Sequence, residues 1–185
     1  MSTISTRFVM PLLVFLLIFI PTISWADNIV QTSSLTKQAN DKVLSLLFVG
    51  TSALNPDSAL ANKQALIPAE MRKLLTARGL QIFSMGIRPG ESDATGVVAQ
   101  SVSKFAPSHI VKVNVPSGVV SVSRSTGESG AASVYSVVTE VSDAKSATVI
   151  WTHSAEIKGG AFFGASNAEV AAAIVARMRS DGLIE

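Results

Sequence analysis

The feature that most constrains this chain is a change in hydrophobic period along its length. Val43 to Val49, VLSLLFV, is a nearly continuous apolar run closed by Gly50. Such a run suits a strand buried on both faces, as in the middle of a parallel sheet. After two amphipathic stretches the period becomes two: in HIVKVNV the residues His109, Val111, Val113 and Val115 share a face, and in ATVIWTHSAEI so do Val149, Trp151, His153, Ala155 and Ile157. Alternation of that kind describes strands with one packed and one wet face, the habit of antiparallel sheets. On the wet face of the second run Ile150 stands with Thr148, Thr152, Ser154 and Glu156. The chain therefore begins with strands separated by helices and ends in a meander, which together predict a mixed sheet with helices packed on it.

The helical stretches carry their own punctuation. Ser58 is placed to cap a helix bearing Leu60, Ile67, Met71, Leu74 and Leu75 on one face, with Pro68 either kinking it or starting a second helix, and Gly79 ending it. Leu80 to Met85 then reads as a strand. Ser92 is the expected cap of a helix carrying Val98, Val102 and Phe105, which Pro107 closes. Ser125 to Gly130 reads as a hairpin loop into a strand from about Ala132 to Val141. Near the end, Ser166 and Glu169 form a capping box ahead of Val170, Ile174 and Met178. The predicted fold is α/β (α+β), a two-layer mixed sheet of about five strands with three helices in the order βαβαβββα.

Ahead of all this lies a segment of another kind. Arg7 precedes an apolar run from Phe8 to Pro21, and Ser24 and Ala26 occupy the small positions of a signal-peptidase site. The run is short of the roughly 20 residues that a spanning helix needs. Residues 1–26 read as a cleaved signal peptide, 27–42 as a flexible leader and 43–185 as a single domain. Without Arg7 the mature chain has 14 basic against 13 acidic residues, from 15 Lys and Arg less one. A net charge of +1 with no Lys or Arg cluster argues against nucleic acid or an anionic membrane surface as partner. No cysteine is present. That excludes disulfides, thiolate metal sites, thiol nucleophiles and a lipid-accepting cysteine after the signal, and favours a bacterial periplasm over a disulfide-dependent extracellular setting.

The chemistry-bearing patterns are few. GGAFFGAS, Gly159 to Ser166, matches the phosphate loop G-x-x-x-x-G-K-[ST] except at Ala165, where the lysine belongs, and Phe162 and Phe163 crowd a loop that stays small in nucleotide sites. A glycine-rich connection capped by Ser166 is the better reading. Ser101 and Lys104 fit S-x-x-K, but the companion S-D-N and K-T-G motifs are missing. His109 and His153, the two histidines, lie in phase with valines and a tryptophan and read as hydrogen-bonded inward groups. Glu140 and Glu156 read as wet-face residues, and Gly127 to Gly130 lacks the spacing of a nucleophile elbow. Neither a metal nor a cofactor is expected.

Trp151 on a strand, a glycine-rich link and then ASNAEVAAAIVARMRSDGLI together resemble the closing segment of small periplasmic and outer-membrane α/β modules. These are the lipoprotein activators of peptidoglycan synthases, the N-terminal domain of the Tol system's translocation protein and the periplasmic part of the curli secretion lipoprotein. The resemblance implies a two-layer α/β module that binds other envelope components, with no catalytic residue to carry over, and the missing cysteine departs from its lipid-anchored members. The function expected is that of a non-enzymatic periplasmic accessory protein contacting an envelope protein. Its contacts are expected at a sheet edge, the wet face, or the loop comprising Gly159, Gly160, Phe162, Phe163 and Gly164, whose aromatics suit an interface. A hydrolase of an envelope polymer and a carrier of a small apolar ligand are the alternatives.

Overall fold

The computed structural model describes residues 29–35, 43–51, 59–87, 92–116, 135–157 and 165–185. Its elements run β1 (Ile29–Leu35), β2 (Ser45–Thr51), α1 (Ala59–Thr76), β3 (Gln81–Ile87), α2 (Ala94–Phe105), β4 (His109–Asn114), β5 (Tyr135–Asp143), β6 (Val149–Ile157) and α3 (Asn167–Ser180). One open sheet has the order β1-β6-β5-β4-β2-β3. The predicted split holds: β2 pairs in parallel with β3 and β4, whereas β4–β5, β5–β6 and β6–β1 are antiparallel.

Four expectations are corrected, the last of them a helix cap. The first is the leader, since Ile29–Leu35 is not outside the fold but adds a sixth strand, registered along β6 from Ile29↔Ile157 to Leu35↔Trp151. The second is the two-layer arrangement. The chain moves from β2 to β3 in one direction along the sheet and returns past β2 to reach β4. Right-handed crossovers in opposite directions put their helices on opposite faces, so α2 lies across the sheet from α1 and α3. The third is Ile150: the register runs from Val141↔Trp151 to Ser142↔Val149, a bulge that skips Ile150 and turns it inward to 5% exposure.

The two faces have unequal cores. On the α1/α3 side Ile67, Met71 and Leu75 of α1 and Val170, Ile174 and Met178 of α3 are fully buried against Leu46, Val111, Val137 and Trp151. In both helices the fully buried residues named recur every four positions, and α1 is one continuous helix with Pro68 inside it. On the other side, among the described residues, Leu47, Val49 and Ile110 are the buried apolar residues, and Phe83, Met85, Ile87, Val98, Val102 and Phe105 are partly covered. Helix α2 has no buried residue. Its cap is Asp93 and not Ser92, because the Asp93 carboxylate accepts from Gly96 N–H at 2.9 Å. The α3 capping box forms as predicted, Glu169 N–H donating to Ser166 Oγ at 3.2 Å and Ser166 N–H to Glu169 Oε2 at 2.7 Å. Gly79, at φ +84°, closes α1 in the left-handed region where a side chain would be strained.

Candidate functional site

Two places join a serine, a histidine and an aspartate. In the first, Ser108 immediately precedes His109, the first residue of β4, and His109 lies opposite Asp143 in the β4–β5 register. The His109 Nδ1 to Ser108 Oγ distance is 2.9 Å. The serine hydroxyl is already committed, donating to Ser45 C=O at 2.7 Å and accepting from Ser45 N–H at 3.1 Å. Ser108 N–H donates in turn to Ser45 Oγ at 2.8 Å. With its proton on a carbonyl, Ser108 needs His109 as a donor through Nδ1–H, the reverse of a general base. Asp143 is also occupied. It caps the β5–β6 turn, accepting at Oδ1 from Lys145 N–H, Ser146 N–H and Ser146 Oγ at 3.0, 2.6 and 2.8 Å, and the Ser146 bonds hold its carboxyl below the usual range. The cluster laces β2, β4 and the β5 turn together.

The second place ties β1 to α3. Ser33 Oγ donates to Asp181 Oδ2 at 2.7 Å, Trp151 Nε1 donates to the same oxygen at 2.9 Å, and Arg177 Nε donates to Ser33 Oγ at 2.8 Å. Burial pushes the Asp181 carboxyl up, but the Trp151, Ser33 and Arg177 donors outweigh it and hold the group below its ordinary value. His153, opposite Ser33 in the register, stacks on Trp151 with centroids 5.4 Å apart, and its Nε2 lies 3.0 Å from Gln31 Oε1. The Gln31 carbonyl assigns the proton to Nε2, and among the described residues no partner meets the buried Nδ1. Burial first, and Arg177 second, push His153 down to about 4, so the ring is neutral at pH 7. Ser33 donates to the aspartate and not to the histidine, so this too is an anchor and not an aligned nucleophile.

The remaining candidates separate. Glu140 lies opposite Thr152 and Glu156 opposite Ser136. Four residues of strand, about 13 Å at 3.3 Å each, lie between those rungs, beyond the separation of a glycosidase pair. Lys104 extends its ammonium over the Phe105 ring at 5.2 Å. The carboxylate of Glu169 itself fills the N-terminus of α3, the position an anion would take in a phosphate site. Gly159, Gly160, Phe162, Phe163 and Gly164 lie outside the described residues. Among the described residues no group of three His, Asp or Glu side chains is placed to hold a metal ion, and no helix is long and apolar enough to cross a membrane.

What the fold leaves open is surface. Helix α2 packs on β2 and β3, and no described helix lies over the corresponding face of β5, β6 and β1. That face carries Ser136, Val138, Thr152, Ser154, Thr32 and Ser34 in register, with a Ser34 Oγ to Thr152 Oγ1 bond of 2.6 Å. A shallow cleft of about 230 Å³ lies among Thr32, Ser34, Val138, Thr152 and Ser154. Nearer α2 a groove of about 490 Å³ runs between Val98 and Val102 on one wall and Ile110, Lys112 and Ser142 on the other. The hydroxyl-rich face follows from the alternation in β6, but β1's share of it was hidden in the presumed leader.

The architecture defines an open mixed α/β sheet with helices on both faces. No family model matches the chain, and no curated protein matches it. Among solved structures it is similar to the PelC dodecamer from Paraburkholderia phytofirmans, at 17% identity over 85% of this chain and 97% of that one, with a TM-score of 0.47. It is also similar to the lipoprotein GNA1162 from Neisseria meningitidis, at 14% identity over 74% and 95%, with a TM-score of 0.45. A third is the protein XCC0632 from Xanthomonas campestris, of the DUF330 family, at 11% identity over 77% and 82%, with a TM-score of 0.38. The likeness is one of architecture.

Proposed function

We propose that this chain is a non-enzymatic accessory protein of a bacterial periplasm that binds an envelope protein through the hydroxyl-rich face of β5, β6 and β1. The observation that carries the reading is the contrast between this hydroxyl-rich face and the two Ser-His-Asp clusters. The clusters' polar groups are taken up in holding strands together, whereas the face presents aligned hydroxyls over which no described helix lies. Serine and threonine at adjacent rungs offer donors and acceptors to a partner at low desolvation cost, as polar interface rims do. The loop bearing Gly159, Gly160, Phe162, Phe163 and Gly164 follows β6 in the chain and belongs to the same proposal as the aromatic anchor. Export rests on the Arg7, Phe8 to Pro21, Ser24 and Ala26 signal.

The test is in-cell crosslinking of the tagged full chain followed by recovery from the envelope fraction. One reproducible partner is expected with the wild type, lost both in Thr152→Arg/Ser154→Arg and in Phe162→Ser/Phe163→Ser variants whose circular dichroism is unchanged. Recovery that survives both pairs of substitutions rejects this face and this loop. The α2 groove favours the carrier as a second reading, since its volume falls in the range of small-ligand sites. Saturable binding of a fluorescent fatty acid, abolished by Val98→Arg, would support that reading, and unsaturable binding would end it.

A further inference from the structure

The sheet ends in two edges, β1 and β3, and β3 is the exposed end of the weaker core. Its sequence Gln81-Ile-Phe-Ser-Met-Gly-Ile87 contains no charge and no proline, the residues with which natural edge strands discourage pairing. The register with β2 runs unbroken from Ser45↔Gln81 to Thr51↔Ile87, so no bulge turns this edge away either. Phe83, Met85 and Ile87 are only partly covered on the α2 face, as are Ile82, Leu74 and Leu80 on the α1 face. Among the described residues no strand pairs with the outer edge of β3, so apolar surface flanks its row of backbone donors and acceptors on both sides.

We infer that β3 pairs with β3 of a second copy of this chain, antiparallel about a two-fold axis at Ser84, to give one continuous twelve-stranded sheet. The occupant is argued from self-complementarity. With Ser84 opposite Ser84, all seven residues find a rung: Gln81 with Ile87, Ile82 with Gly86 and Phe83 with Met85. Ile82 then meets the residue at which an added Cβ would have nothing within 4 Å, so a large side chain faces open space. Phe83, already stacked on Phe105 at 4.8 Å, meets the thioether of Met85 from the other copy, twice by symmetry. No charge on either strand opposes the pairing. Strand β1 is also free of charge, but apart from Ile29, Val30 and Leu35 it offers only Gln, Ser and Thr. This inference uses the edge opposite to the proposed partner face and stands without it.

The absence of cysteine makes the test direct. Opposed Cα atoms across an antiparallel pair lie about 4.5–5.5 Å apart, inside the roughly 4.4–6.8 Å that a disulfide spans. The full chain is purified as wild type, Ser84→Cys, Thr32→Cys and Met85→Lys, and each is measured by light scattering across the micromolar range. The wild type is expected at twice the chain mass, Ser84→Cys to become mostly covalent dimer under mild oxidation, Thr32→Cys to stay unlinked, and Met85→Lys to halve the mass while keeping its circular dichroism. A monomeric wild type, a dimer that Ser84→Cys fails to link, or a dimer that Met85→Lys leaves intact overturns the proposal. Linking through Thr32→Cys overturns the closed two-fold pair.

Discussion

His153 shows how one residue sets the acid limit of this fold. Its ring is 1% exposed, stacked on Trp151 and bonded through Nε2 to Gln31, and its group titrates at about 4 against an ordinary value of 6.5. Between those values the unfolded chain binds a proton that the folded chain refuses, so stability must fall as pH falls. A displacement of this size corresponds to on the order of 3 kcal/mol over the whole window. Asp181 acts in the same direction at lower pH, because its donors hold the carboxyl below its ordinary value of 3.8, so the unfolded chain takes up a proton before the folded one does. The melting temperature is expected to drop steadily from pH 6.5 to pH 4, and His153→Gln to flatten that slope. An unchanged slope in the variant would assign the acid sensitivity elsewhere. The phase of His153 in the alternation made its burial legible in the sequence, but its partners were not, since Gln31, Ser33 and Asp181 come from the two ends of the chain.

At the scale of elements, side chains close gaps that strand pairing leaves. Strand β4 is registered with β2 only as far as Val49↔Lys112. Beyond that rung Gln64 of α1 stands in for a strand: its Nε2 donates to Val113 C=O and its Oε1 accepts from Val115 N–H, both at 2.6 Å. Val115 is 8% exposed, so Gln64→Leu leaves a nearly buried N–H without a partner, which costs about 1–3 kcal/mol. Chemical denaturation should show that loss with an unchanged denaturant slope, and a loss below about 0.5 kcal/mol, the scale of ordinary surface substitutions, would mean water replaces the amide. The elements easiest to read in advance were those whose burial obeys one period: α1, α3, β4 and most of β6. Strand β1 escaped notice because an edge strand needs little apolar surface, and its inward Gln31 and Ser33 are satisfied by polar partners that only the fold supplies. Ile150 was read outward because nothing in a regular alternation announces a bulge.

The whole molecule joins a complete core to an incomplete one. Opposite crossover directions send α1 and α2 to different faces, and α3 then joins α1, so of the described helices two lie on one face and one, of twelve residues, on the other. The order of elements made the mixed sheet legible, but the spatial order in which β4 returns beside β2 is not written in any local pattern. The energetic consequence is a gradient of stability across the sheet. Ile174 is fully buried between helices and strands, and Ile174→Ala should cost about 2–5 kcal/mol. Val102 of α2 is only partly covered, so the same truncation removes less apolar area from water and should cost under about 1.5 kcal/mol. Native-state hydrogen exchange should resolve the two halves. Amides of α2 are expected to exchange through a partial opening at lower free energy than those of α1 and α3, with Ile174→Ala lowering every protected amide together and Val102→Ala lowering chiefly α2. If α2 instead exchanges only with global unfolding, the second core is as cooperative as the first. Its half-covered residues would then be held by something stronger than the packing of Leu47, Val49 and Ile110, and pairing at β3 is the contact positioned to supply it.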